Sequence, residues 1–164
     1  MDINPAISEL LCTMLRSARP EVAQAILSEP DIDVHHRSSG GQTPLHIAAE
    51  VFLHGLAALL MAKGADPDAQ DDRGRTSLMN SARVGADKVM DQLLKRHADP
   101  NLATTRMRWT ALMWAARYQR ISALQKLLSA GADRTMRDLK GRTAADIARQ
   151  YGSKVALALL EAAE

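Results

Sequence analysis

Apolar residues along this chain fall into pairs of short runs at helical spacing, separated by polar, turn-rich segments. Leu45, Ala48 and Ala49 make one such run, and Leu56, Leu59 and Leu60 make its partner. The pair returns with Leu78 and Ala82 followed by Val89, Leu93 and Leu94. It returns again with Leu112, Ala115 and Ala116 followed by Leu124, Leu127 and Leu128. A last copy carries Ala145, Ile147 and Ala148, then Leu157, Leu159 and Leu160. Each unit therefore predicts a turn, a short helix, a tight turn, a longer helix and a loop. Thr43 stands where an N-cap hydroxyl is wanted, and Pro44 takes the first helical position. Gly64 closes the second helix as a left-handed cap. Upstream, Ala6–Leu15 and Pro20–Ser28 predict two more helices, the second with Pro at its start.

The units share more than hydrophobicity. A ten-residue block reads GQTPLHIAAE at 41–50, GRTSLMNSAR at 74–83, RWTALMWAAR at 108–117 and GRTAADIARQ at 141–150. Its threonines, Thr43, Thr76, Thr110 and Thr143, lie 33, 34 and 33 residues apart. A second block follows the first three copies: GADPDAQDD at 64–72, HADPNLATT at 97–105 and GADRTMRDL at 131–139. Asp31-Ile32-Asp33-Val34 falls at the same offset before Thr43. Residues 1–40 thus read as a degenerate N-terminal repeat, as expected of a terminal unit with one face in water. The repeats span 41–73, 74–107, 108–140 and 141–164, all in a single domain.

A period near 33 with a T-P-L-H-x-A signature resembles the ankyrin-repeat family, over about residues 20–164. The resemblance implies an all-α solenoid of about five helix pairs with hairpin-like finger loops. It implies protein binding on a concave face made by the fingers and the first helices, with no chemistry of its own. It also implies that His46 hydrogen-bonds between repeats. Three departures stand out. Family repeats place Gly at the turn between the two helices, which Gly85 and Gly152 keep and Phe52 and Gln119 do not. Bulky residues resist φ > 0, so these two turns are expected to change geometry or lengthen the first helix. His97 replaces the helix-ending Gly, at a small expected cost. The 34-residue step places one extra residue between Asp99 and Thr110.

Composition adds limits. Of 164 residues, 46% are hydrophobic, ample for burial, and only 3% are aromatic. Cys12, the one cysteine, excludes an intrachain disulfide and reads as a buried small hydrophobe. The start, Met1-Asp2-Ile3-Asn4-Pro5, has no basic n-region, and Glu9 interrupts the apolar stretch after it, so no signal peptide is expected. No run is long enough to span a membrane. The expected setting is cytoplasmic and reducing. No phosphate loop, nucleophile elbow or HExxH helix occurs, and His35-His36 lacks partners at ligand spacing. The expectation is no enzyme activity, no catalytic residue, no cofactor and no metal. Asp66, Asp99 and Asp133 recur at one offset and so read as turn-formers.

Charge is near balance at +2 but unevenly spread. Residues 71–142 hold 15 Lys/Arg against 7 Asp/Glu, while residues 1–70 hold 4 against 9. The family register puts Arg73, Arg75 and Arg83 of the second repeat on the recognition face. From the third come Arg106, Met107, Trp109, Arg117 and Tyr118, and from the fourth Leu139, Lys140, Arg142 and Tyr151. Three of the chain's five aromatics fall on this register, together with arginines, the residue types that dominate interface hot spots. Trp109 and Tyr118 are the expected anchors. Trp114 is expected to pack, partly buried. Of the methionines, Met107 is expected to be exposed. Val51-Phe52-Leu53 either folds back onto the neighbouring helix or forms a sticky rim, and partial burial of Phe52 is favoured.

The sequence reading is a non-enzymatic protein-binding module, an adaptor or a stoichiometric inhibitor of immunity type, monomeric when unbound. Its partner presents an acidic and apolar patch. Nucleic-acid binding through the same arginines is the alternative, disfavoured by Asp71, Asp72 and Asp138 in the same fingers.

Overall fold

The computed structural model describes residues 5–17, 19–29 and 32–162, so Asp31 and the first four residues lie outside the described residues. Among the described residues ten helices form, in the order α1 (Pro5–Arg16), α2 (Pro20–Leu27), α3 (Pro44–Glu50), α4 (His54–Ala62), α5 (Ser77–Val84), α6 (Asp87–Lys95), α7 (Ala111–Arg117), α8 (Ile121–Ser129), α9 (Ala144–Gln150) and α10 (Lys154–Glu161). No strand occurs among the described residues. Each helix packs on its pair-mate and on its equivalents in the neighbouring pairs. One layer runs α1, α3, α5, α7, α9 and the other α2, α4, α6, α8, α10. That is an all-α solenoid of five helix pairs.

Alanines make the inner layer possible. Ala48, Ala49, Ala82, Ala115, Ala116 and Ala148 are fully buried, and with no longer side chain between them the helices approach closely. Leucines of the outer layer, among them Leu60, Leu93 and Leu127, fill the space between layers at 0% exposure. Each such leucine contributes about 1.5–3 kcal/mol by leaving water. Cys12 is buried with them, and burial first, then Glu9, pushes its thiol up to about 11. It stays a thiol and packs as a small hydrophobe.

Threonine hydroxyls cap α5, α7 and α9 by accepting from the backbone N–H of Met79, Met113 and Asp146. In the first repeat His46 joins the cap. Its Nδ1 accepts the Thr43 N–H at 3.2 Å, and its Nε2–H donates to the Arg75 carbonyl of the next repeat at 2.8 Å. Burial lowers its pKa, so the ring works as a neutral bridge between repeats. This is the role the family resemblance implied. Asp146 takes over Thr43's neighbour role in α9, accepting from both the N–H and the hydroxyl of Thr143 at 2.9 Å.

The turns correct one expectation. Phe52 (φ 64°) and Gln119 (φ 54°) adopt the same left-handed conformation as Gly85 (φ 84°) and Gly152 (φ 70°), and neither lengthens its helix. The backbone explains why. Leu53, Ala86, Arg120 and Ser153 each donate to the carbonyl five residues back, at Ala48, Ser81, Ala115 and Ala148, over 2.9–3.0 Å. Those bonds, and the packing of the following helix, outweigh a strain of about 1–2 kcal/mol per residue. His97 (φ 60°) takes the left-handed cap held elsewhere by Gly64 and Gly131, as expected. Phe52 itself is 54% exposed, which corrects the favoured partial burial; Val51 and Leu53 beside it are half-buried.

Candidate partner-binding groove

The fingers position the site, and a buried side chain braces each one. In the second finger Asp71 Oδ1 accepts the N–H groups of Arg73 and Arg75 at 2.9 Å, and its Oδ2 takes the Arg75 guanidinium at 2.7 Å. In the fourth, Asp138 does the same for Lys140 and Arg142. In the third finger Thr104 stands at this position and accepts only the Trp109 N–H, at 2.9 Å. Trp109 therefore occupies the slot of Arg75 and Arg142. Its indole N–H crosses to Asp138 Oδ2 of the next finger at 3.1 Å. Burial, which would raise the Asp138 pKa, is outweighed by Arg142, the two backbone N–H groups and Trp109, and the carboxyl is held down at about 2.

Neighbouring fingers are joined by backbone bonds. Asp72 N–H donates to Gly40 O, Thr105 N–H to Arg73 O and Leu139 N–H to Met107 O. The donor rung advances 33 residues from Asp72 to Thr105, while the acceptor rung advances 34 from Arg73 to Met107. The extra residue of the third finger is thus Arg106, at its tip. It has a consequence at Arg108, which stands where the other fingers have Gly41, Gly74 and Gly141 and sits at φ 54°. Its N–H closes onto Thr104 O, one residue wider than the Gly74-to-Asp71 and Gly141-to-Asp138 turns.

Between the third and fourth repeats these parts enclose a groove of about 510 Å³. It is lined by Arg106, Met107, Trp109, Trp114, Arg117, Tyr118, Asp138, Leu139, Lys140, Arg142, Gln150 and Tyr151. All the sequence-predicted contacts except Arg73, Arg75 and Arg83 meet here. Arg73 and Arg75 line an adjoining groove of about 520 Å³, together with Thr104, Arg106, Met107 and Trp114. Arg83 lines neither and pairs with Glu50 at 2.5 Å.

The aromatic floor differs from expectation. Trp109 is only 4% exposed, so it is not a protruding anchor: the finger brace draws its N–H inward and the ring lies beneath the groove. Trp114 meets it edge-on at 4.8 Å and stacks on Tyr118 at 6.1 Å. It is partly buried, as expected, yet it also lines both grooves, which the repeat register concealed by aligning it with Ile47 and Ile147. The apolar and aromatic side chains of the lining that do reach solvent are Met107 (44%), Tyr118 (41%), Leu139 (64%) and Tyr151 (37%). Met79, Met90 and Met113 are core, so Met107 stands apart as predicted. The Arg117 guanidinium lies 4.7 Å from the Tyr151 ring, 5.5 Å from Tyr118 and 5.8 Å from Trp109, and it donates to the Tyr151 hydroxyl.

Away from the groove, Asp66, Asp99 and Asp133 accept from the N–H two residues on at 2.9, 2.8 and 2.7 Å, and are the turn-formers expected. No cluster of three metal-ligating side chains occurs among the described residues. No described helix is long and apolar enough to cross a membrane.

Helix pairs, bridging histidine and braced fingers coincide with a match to the family described as ankyrin repeats (3 copies), over residues 10–104, 49–138 and 78–164. The chain belongs to the ankyrin-repeat family. Among curated proteins it is 33% identical over 129 residues to neurogenic locus notch homolog protein 1 of Mus musculus, covering 78% of this chain and 5% of that protein. It is 32% identical over 115 residues to SH3 and multiple ankyrin repeat domains protein 2 of Homo sapiens, covering 70% of this chain and 6% of that protein. The chain thus spans a small fraction of the length of these relatives. As a family, ankyrin repeats are protein-interaction modules.

Proposed function

We propose that this chain is a non-enzymatic module that binds another protein through the groove of the third and fourth repeats. It acts by occupying its partner, as an adaptor or as a stoichiometric inhibitor that covers an enzyme's active site. The observation that carries the reading is one groove uniting exposed Met107, Tyr118, Leu139 and Tyr151 with the cations Arg106 and Lys140. Apolar and aromatic anchors ringed by charge are the anatomy of a protein interface. Nucleic acid is the less supported alternative. Arg75 and Arg142 are already paired inside their fingers, and Asp72 lies exposed among them.

The test is affinity capture of the partner, followed by binding kinetics with variants. Tyr118→Ala or Met107→Ala is expected to weaken binding by about 2 kcal/mol, mostly through faster dissociation. Phe52→Ala serves as the distant control. If Phe52→Ala abolishes binding and the groove variants do not, the interface lies on the helix-turn rim instead. Steep salt-dependent binding to arbitrary duplexes would favour nucleic acid.

A further inference from the structure

Resting on that reading, we propose that the groove is built to read carboxylates. Arg117 selects an acidic side chain on an extended segment of the partner, with Arg106 and Lys140 holding neighbouring acids. Arg75, Arg83 and Arg142 are each answered by an internal carboxylate, at 2.5–2.7 Å. Among the described residues, Arg106, Arg117 and Lys140 have none.

Arg117 is the most constrained of the three. Rings flank its guanidinium and the Tyr151 hydroxyl takes one of its amino groups, so its plane is fixed before any partner arrives. A fixed, partly desolvated fork matches a carboxylate edge-on and loses little entropy when it binds one. Asp138, the one acidic residue lining the groove, does not compete. Its oxygens already accept from Arg142, Trp109 and two backbone N–H groups. Exposed Met107 and Leu139 offer an apolar seat beside the fork, which fits an aliphatic residue next to the acid.

The chain carries its own reporter. Trp109 and Trp114 are its two tryptophans, and both line the groove, so their emission reads occupancy without a label. The probe is an acetylated, amidated peptide of Gly and Glu around one Leu, with a Gln-for-Glu twin as control. The expected result is a saturable emission change with the Glu peptide and binding about tenfold weaker with the twin. Arg117→Lys keeps the charge and loses the fork. It is expected to weaken the Glu peptide about tenfold while leaving the weak binding of the twin unchanged. Tyr151→Phe frees the guanidinium and is expected to weaken the Glu peptide about threefold, which checks the assignment if Arg117→Lys fails to fold.

The proposal is overturned if the Glu peptide gives no saturable change, if the twin binds equally well, or if single-stranded oligothymidine is preferred. It is also overturned if Arg117→Lys folds and binds like the parent. If it falls while Tyr118→Ala still weakens capture of the natural partner, the interaction reading stands without it. If capture is also indifferent to Tyr118, both fall.

Discussion

Among the described residues, four other than glycine sit at positive φ, and they show how backbone bonds overrule side-chain preference. Arg108 is the clearest case. Its side chain is exposed, and three sister fingers use Gly at the same place. Arg108→Gly is therefore expected to stabilise the fold by about 0.5–1 kcal/mol. Relief of left-handed strain outweighs the added entropy of the unfolded chain. Chemical denaturation checks this, and a loss of stability would mean that Arg108 makes a compensating contact. Phe52 is strained in the same way but packs little. Phe52→Ala is expected to change stability by no more than about half a kcal/mol. A loss near 3 kcal/mol in a melting comparison would return Phe52 to the core.

At the scale of the element, α4, α6 and α8 end alike. Ala65, Ala98 and Ala132 donate to Leu60, Leu93 and Leu127, holding a left-handed residue between helix and finger. At Gly64 a Cβ would meet nothing within 4 Å, so only the backbone term remains. Gly64→Val is expected to cost about 1–2 kcal/mol by that term alone, read from the denaturation midpoint. An unchanged midpoint would show that α4 is not capped there. The finger is an element too, and its brace is electrostatic. Asp138 is held at about 2, below the ordinary carboxylate value near 3.8, by Arg142, the backbone and Trp109, despite burial. A depressed folded-state pKa contributes stability that is present in full above the unfolded value. That stability is lost as pH falls through the folded value. Asp71 is depressed as well: burial raises it, but the N–H and guanidinium of Arg75 and the N–H of Arg73 prevail. Stability is therefore expected to fall between about pH 4 and pH 2, and Asp138→Asn should flatten that fall while lowering stability at neutral pH. An acid titration of the melting temperature with the same slope in both proteins would contradict the assignment.

Across the whole molecule, charge and aromatic character concentrate at one end of the stack. Residues 71–142 hold 15 basic side chains, yet the structure withdraws Arg75, Arg83 and Arg142 into ion pairs. On the proposed reading, steering of a partner rests on Arg73, Arg106 and Lys140, which have no ion pair among the described residues. Arg106→Ala is expected to slow association about two- to threefold and to reduce its salt dependence. Stopped-flow rates at two ionic strengths test it. Faster dissociation with unchanged association would place Arg106 in the buried part of the contact instead.

The sequence by itself determined the helix pairs, because their hydrophobic spacing, the Thr register and the left-handed caps are local signals repeated every 33 or 34 residues. Most of the groove lining followed once the family resemblance named the recognition register, because in a solenoid equal offsets land on equal faces. Tertiary structure decided what repetition hides. Trp109 sank beneath the groove because a carboxylate of the next finger, 29 residues away, accepts its indole N–H. Trp114 joined the lining because its ring packs on Trp109 and Tyr118, whereas Ile47 and Ile147 at the same register stay buried in the core. The turns at Phe52 and Gln119 kept their geometry because bonds to Ala48 and Ala115 fix them. In each case the deciding partner is a contact, and no single-residue preference encodes it.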